Sequence, residues 1–121
     1  GLSERMVALG LDNHFILPKA TENSNPSWFG FLLTIKDNSK LNRRIITSKL
    51  ENRKVGTRLL FAGNLIKQPY FKNIEFKVAG DLTNTDKTMN DTFWIGVQPS
   101  LNVEELDFVC LKLEEFFGVN F

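Results

Sequence analysis

The sequence has one cysteine, one histidine and no long apolar run. A single cysteine, Cys110, cannot form an internal disulfide, and with only His14 beside it the chain cannot assemble a zinc site from soft ligands. No stretch approaches the roughly 20 apolar residues that cross a bilayer, and the first residues lack the basic and apolar regions of a signal peptide. These absences predict a cytoplasmic protein with no metal site and no membrane contact.

An excess of charge of one sign is also missing, because 15 Lys and Arg face 14 Asp and Glu. A net charge of +1 supplies no overall field for phosphate backbones, so nucleic acid is not an expected partner. The 121 residues are 42% hydrophobic and 24% charged, which fits one folded domain and excludes intrinsic disorder. Eleven Phe against two Trp and one Tyr predict a core built on phenyl rings.

Turn and periodicity signals divide the chain into interleaved strands and helices. Residues 1–27 are predicted to be a linker remnant and loop, because Pro18 and a small polar stretch follow the first apolar run. Aromatic and β-branched residues predict strands at 28–35, 55–61 and 93–97, with a long loop over 62–82. The predicted fold class is α/β, an α+β sandwich with about three strands and helices mainly on one side.

Three helices are predicted between and after the strands. An apolar stripe at helical spacing predicts one over 40–53 with Ser39 as its N-cap, and residues 83–91 form a short one. The last helix begins after Asn102, whose side chain is expected to cap it together with Glu105 three residues on. Its predicted core face consists of Val103, Leu106, Val109, Cys110, Leu113, Phe116 and Phe117.

No self-contained catalytic constellation is present in the sequence. The chain lacks a Gly-x-Ser-x-Gly motif and a Gly-rich phosphate loop, and His14 has no nucleophile near it in sequence. Cys110 lies on the predicted buried stripe, where a thiol behaves as a small hydrophobe. No catalytic residue is therefore predicted within this chain.

Two segments hold more polar detail than packing requires. Arg58 and Asn64 flank an apolar run and a turn, and a guanidinium beside an amide suits phosphate or sugar hydroxyls. The alternative is a surface arginine that pairs with a carboxylate. Residues 80–94 are rich in Asp, Asn and Thr, which either cap a helix and a turn or bind a ligand. Their spacing matches no calcium-binding loop.

Four longer segments are more specific: residues 26–31 (PSWFGF), 56–65 (GTRLLFAGNL), 81–86 (DLTNTD) and 89–96 (MNDTFWIG). Together they resemble the DegT/DnrJ/EryC1 family of pyridoxal-phosphate (PLP)-dependent sugar aminotransferases and dehydratases. The resemblance runs from about Phe15 to Phe121. It implies that residues 28–121 are the small C-terminal domain of a fold-type I PLP-dependent enzyme, whose large cofactor domain lies upstream of Gly1 and is absent from this chain.

The resemblance also implies an activity for the whole protein. Its expected reaction removes the 3-hydroxyl of a CDP-linked 4-keto-6-deoxyglucose, in dideoxysugar and lipopolysaccharide O-antigen biosynthesis. The expected cofactors are pyridoxamine or pyridoxal phosphate and an iron–sulfur cluster, both held outside this chain. The expected partners are the large domain, a second copy in a homodimer, and a flavin/iron–sulfur reductase that supplies electrons. The 121-residue fragment alone is expected to bind no cofactor and to be inactive.

By the same resemblance, Phe29 is an aromatic wall near the cofactor. Arg58, Asn64 and Lys87 contact the sugar or its phosphates, with Lys87 standing where related sequences hold an arginine. Two other functions remain open. The whole protein is a sugar aminotransferase if a lysine occupies the Schiff-base position, which lies outside this chain. A free-standing binding or interaction module is the alternative of another class.

Overall fold

A computed structural model describes residues 1–118 of the chain. The last three residues, at which the resemblance and the predicted domain end, lie outside the described residues. The described elements, in order, are helix α1 (Leu2–Ala8), strand β1 (Phe15–Ile16), strand β2 (Gly30–Ile35), helix α2 (Arg43–Asn52), strand β3 (Thr57–Leu59), helix α3 (Thr83–Asp91), strand β4 (Thr92–Gly96) and helix α4 (Val103–Gly118). Short 3-10 helices occupy Leu11–Asn13, Leu65–Lys67 and Pro69–Asn73.

The strands form one antiparallel sheet in the order β1-β2-β4-β3. The three predicted strands are present. Two of them, Gly30–Ile35 and Thr57–Leu59, are shorter than predicted, and the third, Thr92–Gly96, begins one residue earlier than predicted. The sheet has one strand beyond the three that were predicted, because Phe15 and Ile16 pair with Ile35 and Thr34. A two-residue strand is too short for any alternation of apolar and polar residues to reveal it.

One face of the sheet carries the hydrophobic core. Strand residues alternate between faces, so every second residue of β2 and β4 points to the same side. Buried side chains of α1, α2 and α4 share this core with β2 and β4, which agrees with helices mainly on one face. The buried cluster consists of Leu2, Met6, Leu11, Phe15, Phe31, Leu33, Ile35, Ile46, Leu50, Phe93, Ile95, Cys110, Leu113 and Phe116.

The predicted linker remnant at residues 1–27 is wrong in its first half. Met6 and Leu11 are almost fully buried in the core, and Phe15 contributes a strand residue to it. Helix α1 has only seven residues, too few for a helical period to show in the sequence. Residues 17–28 contain no helix or strand, as the polar composition around Pro18 predicts.

The helix caps follow local side-chain chemistry. Asn102 and Glu105 form the predicted capping box of α4, with the Glu105 N–H donating to Asn102 Oδ1 at 2.8 Å and the Asn102 N–H to Glu105 Oε2 at 2.9 Å. The predicted cap of α2 is wrong: Asn42 Oδ1 accepts from the Ile45 N–H at 3.0 Å, so the helix begins after Asn42 rather than Ser39. The predicted core face of α4 is correct except for Val103, which is exposed.

Candidate functional site

The face of the sheet opposite the core carries an aromatic cleft, which is lined by Trp28, Phe29, Phe61 and Trp94. Trp94 and Gly30 lie on this face because their neighbours in β4 and β2 point into the core. Phe29 and Phe61 stand at its rim, with 76% and 78% of their surfaces exposed. The cleft has a volume of about 220 Å³. It is an apolar recess that opens to the surface.

Trp94 is fixed in place as the floor of the aromatic cleft. Its indole N–H donates to the Leu59 carbonyl on the neighbouring strand at 3.2 Å. The ring lies across Gly30, where an added Cβ would come within 2.5 Å of Trp94 Cε3. The lack of a side chain at Gly30 therefore leaves the space that the indole occupies on the sheet. The Phe29 ring packs beside the Trp94 indole, with ring centroids 5.3 Å apart.

Phe61 is presented by a tight turn that rests on helix α3. The Phe61 N–H donates to the Leu59 carbonyl at 2.9 Å, and the Gly63 N–H donates to the Leu60 carbonyl at 3.1 Å. Gly63 has φ +65°, and a Cβ there would overlap Met89 of α3. The turn and the helix approach so closely that only glycine fits between them.

Of the predicted polar contacts, Arg58 is the most accessible. It is the cross-strand partner of Trp94, which places both side chains on the outer face of the sheet. Its guanidinium donates to the carbonyl of the adjacent Thr57 at 2.9 Å, and within residues 1–118 it forms no ion pair. One carboxylate is near enough to interact with it, since the pKa of Glu51 is lowered by hydrogen bonds from Thr57 and, to a smaller extent, by the charge of Arg58. No hydrogen bond joins the guanidinium to a carboxylate within the described residues, so it can still bind an anionic ligand.

Asn64 is buried, and protein groups already engage its amide. Its Nδ2 donates to Asp86 Oδ1 at 2.8 Å, and its Oδ1 accepts from the Ile66 N–H at 3.3 Å. The Lys67 ammonium binds the same Asp86 oxygen at 2.8 Å. Hydrogen bonds from Lys67 and then Asn64 hold the pKa of Asp86 below its ordinary value of 3.8. Asn64 thus joins the turn to α3.

The Lys87 ammonium likewise already has three hydrogen-bond acceptors within the described residues. Its ammonium donates to Asp37 Oδ1 at 2.6 Å, to the Ile35 carbonyl at 2.9 Å and to Asp91 Oδ2 at 3.0 Å. These three acceptors match the three protons of an ammonium group. The hydrogen bond to Asp37 is the main cause that raises the pKa of Lys87. The lysine joins the end of β2 to α3.

The structure brings Phe29 together with Phe61 and Trp94. It does not bring Arg58, Asn64 and Lys87 together, because each of them has different neighbours. The roles of all four residues stay predictions. Sequence reasoning did not single out Phe61 or Trp94, although both lie in the segments that carry the resemblance. The available signal for Phe61 was a large aromatic residue at the end of a predicted strand, directly before Ala62-Gly63 and the predicted loop, because side chains beside loops are often exposed.

Other titratable groups lie away from the aromatic cleft. The His14 ring stacks on Phe117 with centroids 4.1 Å apart, and burial is the main cause that lowers its pKa. Cys110 is buried in the core, and burial raises the pKa of its thiol. Residues 1–118 contain no group of three or more His, Cys, Asp or Glu placed to hold a metal ion.

A wider groove of about 780 Å³ runs between the start of α4 and the edge of the sheet. It is lined by apolar side chains such as Val97, Leu101 and Phe108, with the α4 capping box at its rim. None of the predicted site residues line it, so the aromatic cleft is the candidate site. No helix within residues 1–118 combines the length and apolarity needed to traverse a bilayer.

Comparison with known proteins identifies the family. A sequence model of the DegT/DnrJ/EryC1/StrS aminotransferase family matches residues 7–114. The chain belongs to this family. It is 60% identical over 105 residues to the lipopolysaccharide biosynthesis protein RfbH of Salmonella typhimurium, covering 87% of this chain and 24% of RfbH. It is 42% identical over 101 residues to the dTDP-4-dehydro-2,6-dideoxy-D-glucose 3-dehydratase of Saccharopolyspora spinosa, covering 84% of this chain and 22% of that enzyme.

A solved structure shows the same fold. The E. coli GDP-4-keto-6-deoxy-D-mannose-3-dehydratase with bound hydrated PLP superimposes with a TM-score of 0.78 at 21% identity, covering 92% of this chain and 28% of that one. This likeness confirms the predicted fold class, a small α/β domain of the PLP-dependent aminotransferase fold. The chain spans about a quarter of the length of the curated relatives it matches.

Proposed function

We propose that this chain is the small C-terminal domain of a PLP- or pyridoxamine-phosphate-dependent nucleotide-sugar 3-dehydratase. The proposed substrate is CDP-4-keto-6-deoxyglucose, in cytoplasmic synthesis of dideoxysugars for the lipopolysaccharide O-antigen. The observation that carries the proposal is 60% identity over 105 residues to a lipopolysaccharide biosynthesis protein of the same family. A second relative, 42% identical, is named as a nucleotide-sugar 3-dehydratase.

The exposed aromatic rings fit a domain that covers a cofactor site. When bound, the pyridoxal or pyridoxamine group acts as the electron sink of the reaction. The role proposed for this chain is to bind, to orient and to exclude water. Phe29 exposes most of its ring, and a phenyl face suits the apolar face of a pyridine ring. We place Phe29 as one wall of the cofactor site.

Arg58 is proposed to bind the sugar or its phosphates, since its guanidinium has no carboxylate partner within the described residues. Asn64 and Lys87 are the other two proposed substrate contacts. To reach a ligand, Asn64 must give up its hydrogen bond to Asp86, and Lys87 must give up one of its three acceptors. Each of these hydrogen bonds has at least one charged partner, so the ligand would have to offset the loss of a charge-assisted hydrogen bond.

The proposed iron–sulfur cluster does not fit this chain. Such clusters take about four cysteine thiolates, whereas the sequence has one cysteine, and that one is buried in the core. If the whole protein holds such a cluster, its ligands belong to residues outside this sequence. The large domain, a second copy in a homodimer and a flavin/iron–sulfur reductase are the proposed partners.

A sugar aminotransferase is the second candidate, because the matching family takes its name from that activity. An absorbance spectrum distinguishes the dehydratase from the aminotransferase. The sample is the whole protein, meaning the complete translated product that carries this chain. Iron–sulfur bands without a lysine-bound PLP band would support the dehydratase. A lysine-bound PLP band without a cluster would establish the aminotransferase. A whole protein of 121 residues that takes up neither group would be a binding module.

A further inference from the structure

The side chain of Glu51 ties helix α2 to the start of strand β3. A single carboxylate oxygen, Glu51 Oε1, accepts from the Thr57 N–H at 2.6 Å and from the Thr57 hydroxyl at 2.9 Å. These hydrogen bonds are the main cause that lowers the pKa of Glu51, so the carboxylate is charged at neutral pH. Hydrogen bonds to a charged acceptor are stronger than neutral ones, which makes this a firm link between the two elements.

Strand β3 depends on such a link because it pairs on one side only. It stands at the end of the strand order β1-β2-β4-β3, and its three residues, Thr57–Leu59, pair with β4 alone. The end of a short edge strand opens more readily than the middle of a sheet. Glu51 restrains that end from α2, a helix that is itself held in the core by Ile46 and Leu50.

The restrained residue is also the hydrogen-bond partner of Arg58. Arg58 Nη1 donates to the Thr57 carbonyl at 2.9 Å. An arginine carries five N–H donors, so this contact orients the guanidinium and leaves most of its donors for a ligand. The charges of Glu51 and Arg58 attract each other, although no hydrogen bond joins the two side chains within the described residues. Glu51 thus acts on the guanidinium without occupying its donors.

We infer that Glu51 is a positioning residue for Arg58: by fixing Thr57, it sets where the guanidinium stands on the outer face of the sheet. The inference rests on the proposed function, in which Arg58 binds the sugar or its phosphates. Glu51 does not touch the ligand. Its effect on binding passes through Arg58, so the loss of Glu51 matters only while Arg58 is present.

A double-mutant cycle in the whole protein tests whether Glu51 acts through Arg58. CDP, which carries the phosphates of the proposed substrate, is titrated by calorimetry into the original protein, Glu51→Ala, Arg58→Ala and the double variant. Arg58→Ala should weaken CDP binding by about tenfold or more, and Glu51→Ala by about three- to tenfold. The double variant should bind CDP as weakly as Arg58→Ala and no more weakly, because two residues that act through one contact are not additive.

Two further variants separate positioning from other effects of Glu51. Glu51→Gln keeps a side-chain oxygen that can accept from Thr57, so it should retain most of the CDP affinity that Glu51→Ala loses. Glu104→Ala removes an exposed carboxylate from α4 and is the matched control, which should leave CDP binding unchanged. Equal losses in Glu51→Gln and Glu51→Ala would overturn the inference, because the charge rather than the link to Thr57 would then be what matters.

Other results would also overturn the inference. Unchanged or tighter CDP binding in Glu51→Ala would show that the carboxylate does not help Arg58. An additive loss in the double variant would show that Glu51 acts independently of Arg58, as a residue of general stability does. Normal CDP binding in Arg58→Ala, or no CDP binding by the original protein, would remove the contact that Glu51 is inferred to position.

These outcomes are distinguishable from those of the proposed function. A whole protein with a lysine-bound PLP band and a non-additive loss of CDP binding in Glu51→Ala and Arg58→Ala would keep the inference and lose the dehydratase. A confirmed dehydratase in which the two losses add would keep the proposed function and lose the inference.

Discussion

At the scale of single residues, the guanidinium of Arg58 is the most exposed of the three predicted polar contacts. Replacing Arg58 with Ala in the whole protein should lower kcat/KM at least tenfold, roughly the value of one charged hydrogen bond. Arg44 is a matched control, because it is also an exposed arginine and lies on α2, away from the aromatic cleft. Steady-state kinetics with the nucleotide-sugar checks the prediction. Equal losses in Arg58→Ala and Arg44→Ala would remove Arg58 from the site.

Asp86 gives a pH-dependent prediction. Its folded pKa lies below 3.8 because Lys67 and Asn64 donate hydrogen bonds to the carboxylate. A lowered folded pKa adds stability that is complete above the ordinary value of 3.8 and is lost as the pH falls through the folded pKa. Asp86→Asn should therefore lower the thermal midpoint by a few degrees at pH 7, and the gap from the original protein should narrow below pH 3.8.

Thermal unfolding of both proteins across this pH range measures the effect. Glu75→Gln, at an exposed carboxylate outside any ion pair of the described part of the chain, should show no such gap at pH 7. A gap between Asp86→Asn and the original protein that stays constant with pH would mean that ionisation of Asp86 is not what stabilises the junction between the turn and α3.

At the scale of secondary-structure elements, one arginine joins three of them. Arg43, at the start of α2, donates through Nη1 to the Met89 carbonyl at the end of α3, and to the Thr92 carbonyl at the start of β4 at 3.2 Å. Carbonyls at a helix end lack partners within the helix, so an outside cation stabilises that end. Because Met89 also packs against Gly63, Arg43 indirectly supports the turn that carries Phe61.

Replacing Arg43 with Met should therefore loosen α3. Losing hydrogen bonds from a charged donor is expected to lower the free energy of local opening of this helix by about 1.5–3 kcal/mol. Hydrogen exchange at the amides of α3 in the whole protein measures that quantity. Arg44→Met changes the next residue, which points to solvent, and should leave exchange unaltered. Unaltered exchange in Arg43→Met as well would show that α3 is held by other contacts.

The elements also show what the sequence could and could not predict. Helix α4 was predictable because apolar residues recur at helical spacing over its sixteen residues, and because its capping residues, Asn102 and Glu105, are only three residues apart in the sequence. The hydrogen bonds of Asn64 and Lys87 were not predictable, because their acceptors lie far away along the chain. Asp86 is 22 residues from Asn64, and Asp37 is 50 residues from Lys87. Hydrogen bonds at such separations depend on the tertiary fold, which a local pattern does not encode.

At the scale of the whole molecule, the exposed aromatic rings on the outer face of the sheet form an apolar surface that another part of the protein could cover. Phe29 and Phe61 expose more than three quarters of their surfaces, and the chain spans about a quarter of the length of its curated relatives. Contiguous exposed apolar patches on soluble proteins mark interaction sites. Under the proposed function, the covering surface is the large domain of the same protein.

Hydroxyl-radical footprinting of the whole, ligand-free protein tests this arrangement, because the modification rate of a ring follows its exposure to solvent. Phe29 and Phe61 should be modified well below the rate that their exposure of 76% and 78% implies, because under the proposed function the large domain covers the rim of the aromatic cleft. Phe108 on α4, 44% exposed and on the opposite side of the sheet, serves as the internal reference and should react as its exposure implies. If both rim phenylalanines react faster than Phe108, the outer face is open in the whole protein, and the large domain must dock elsewhere.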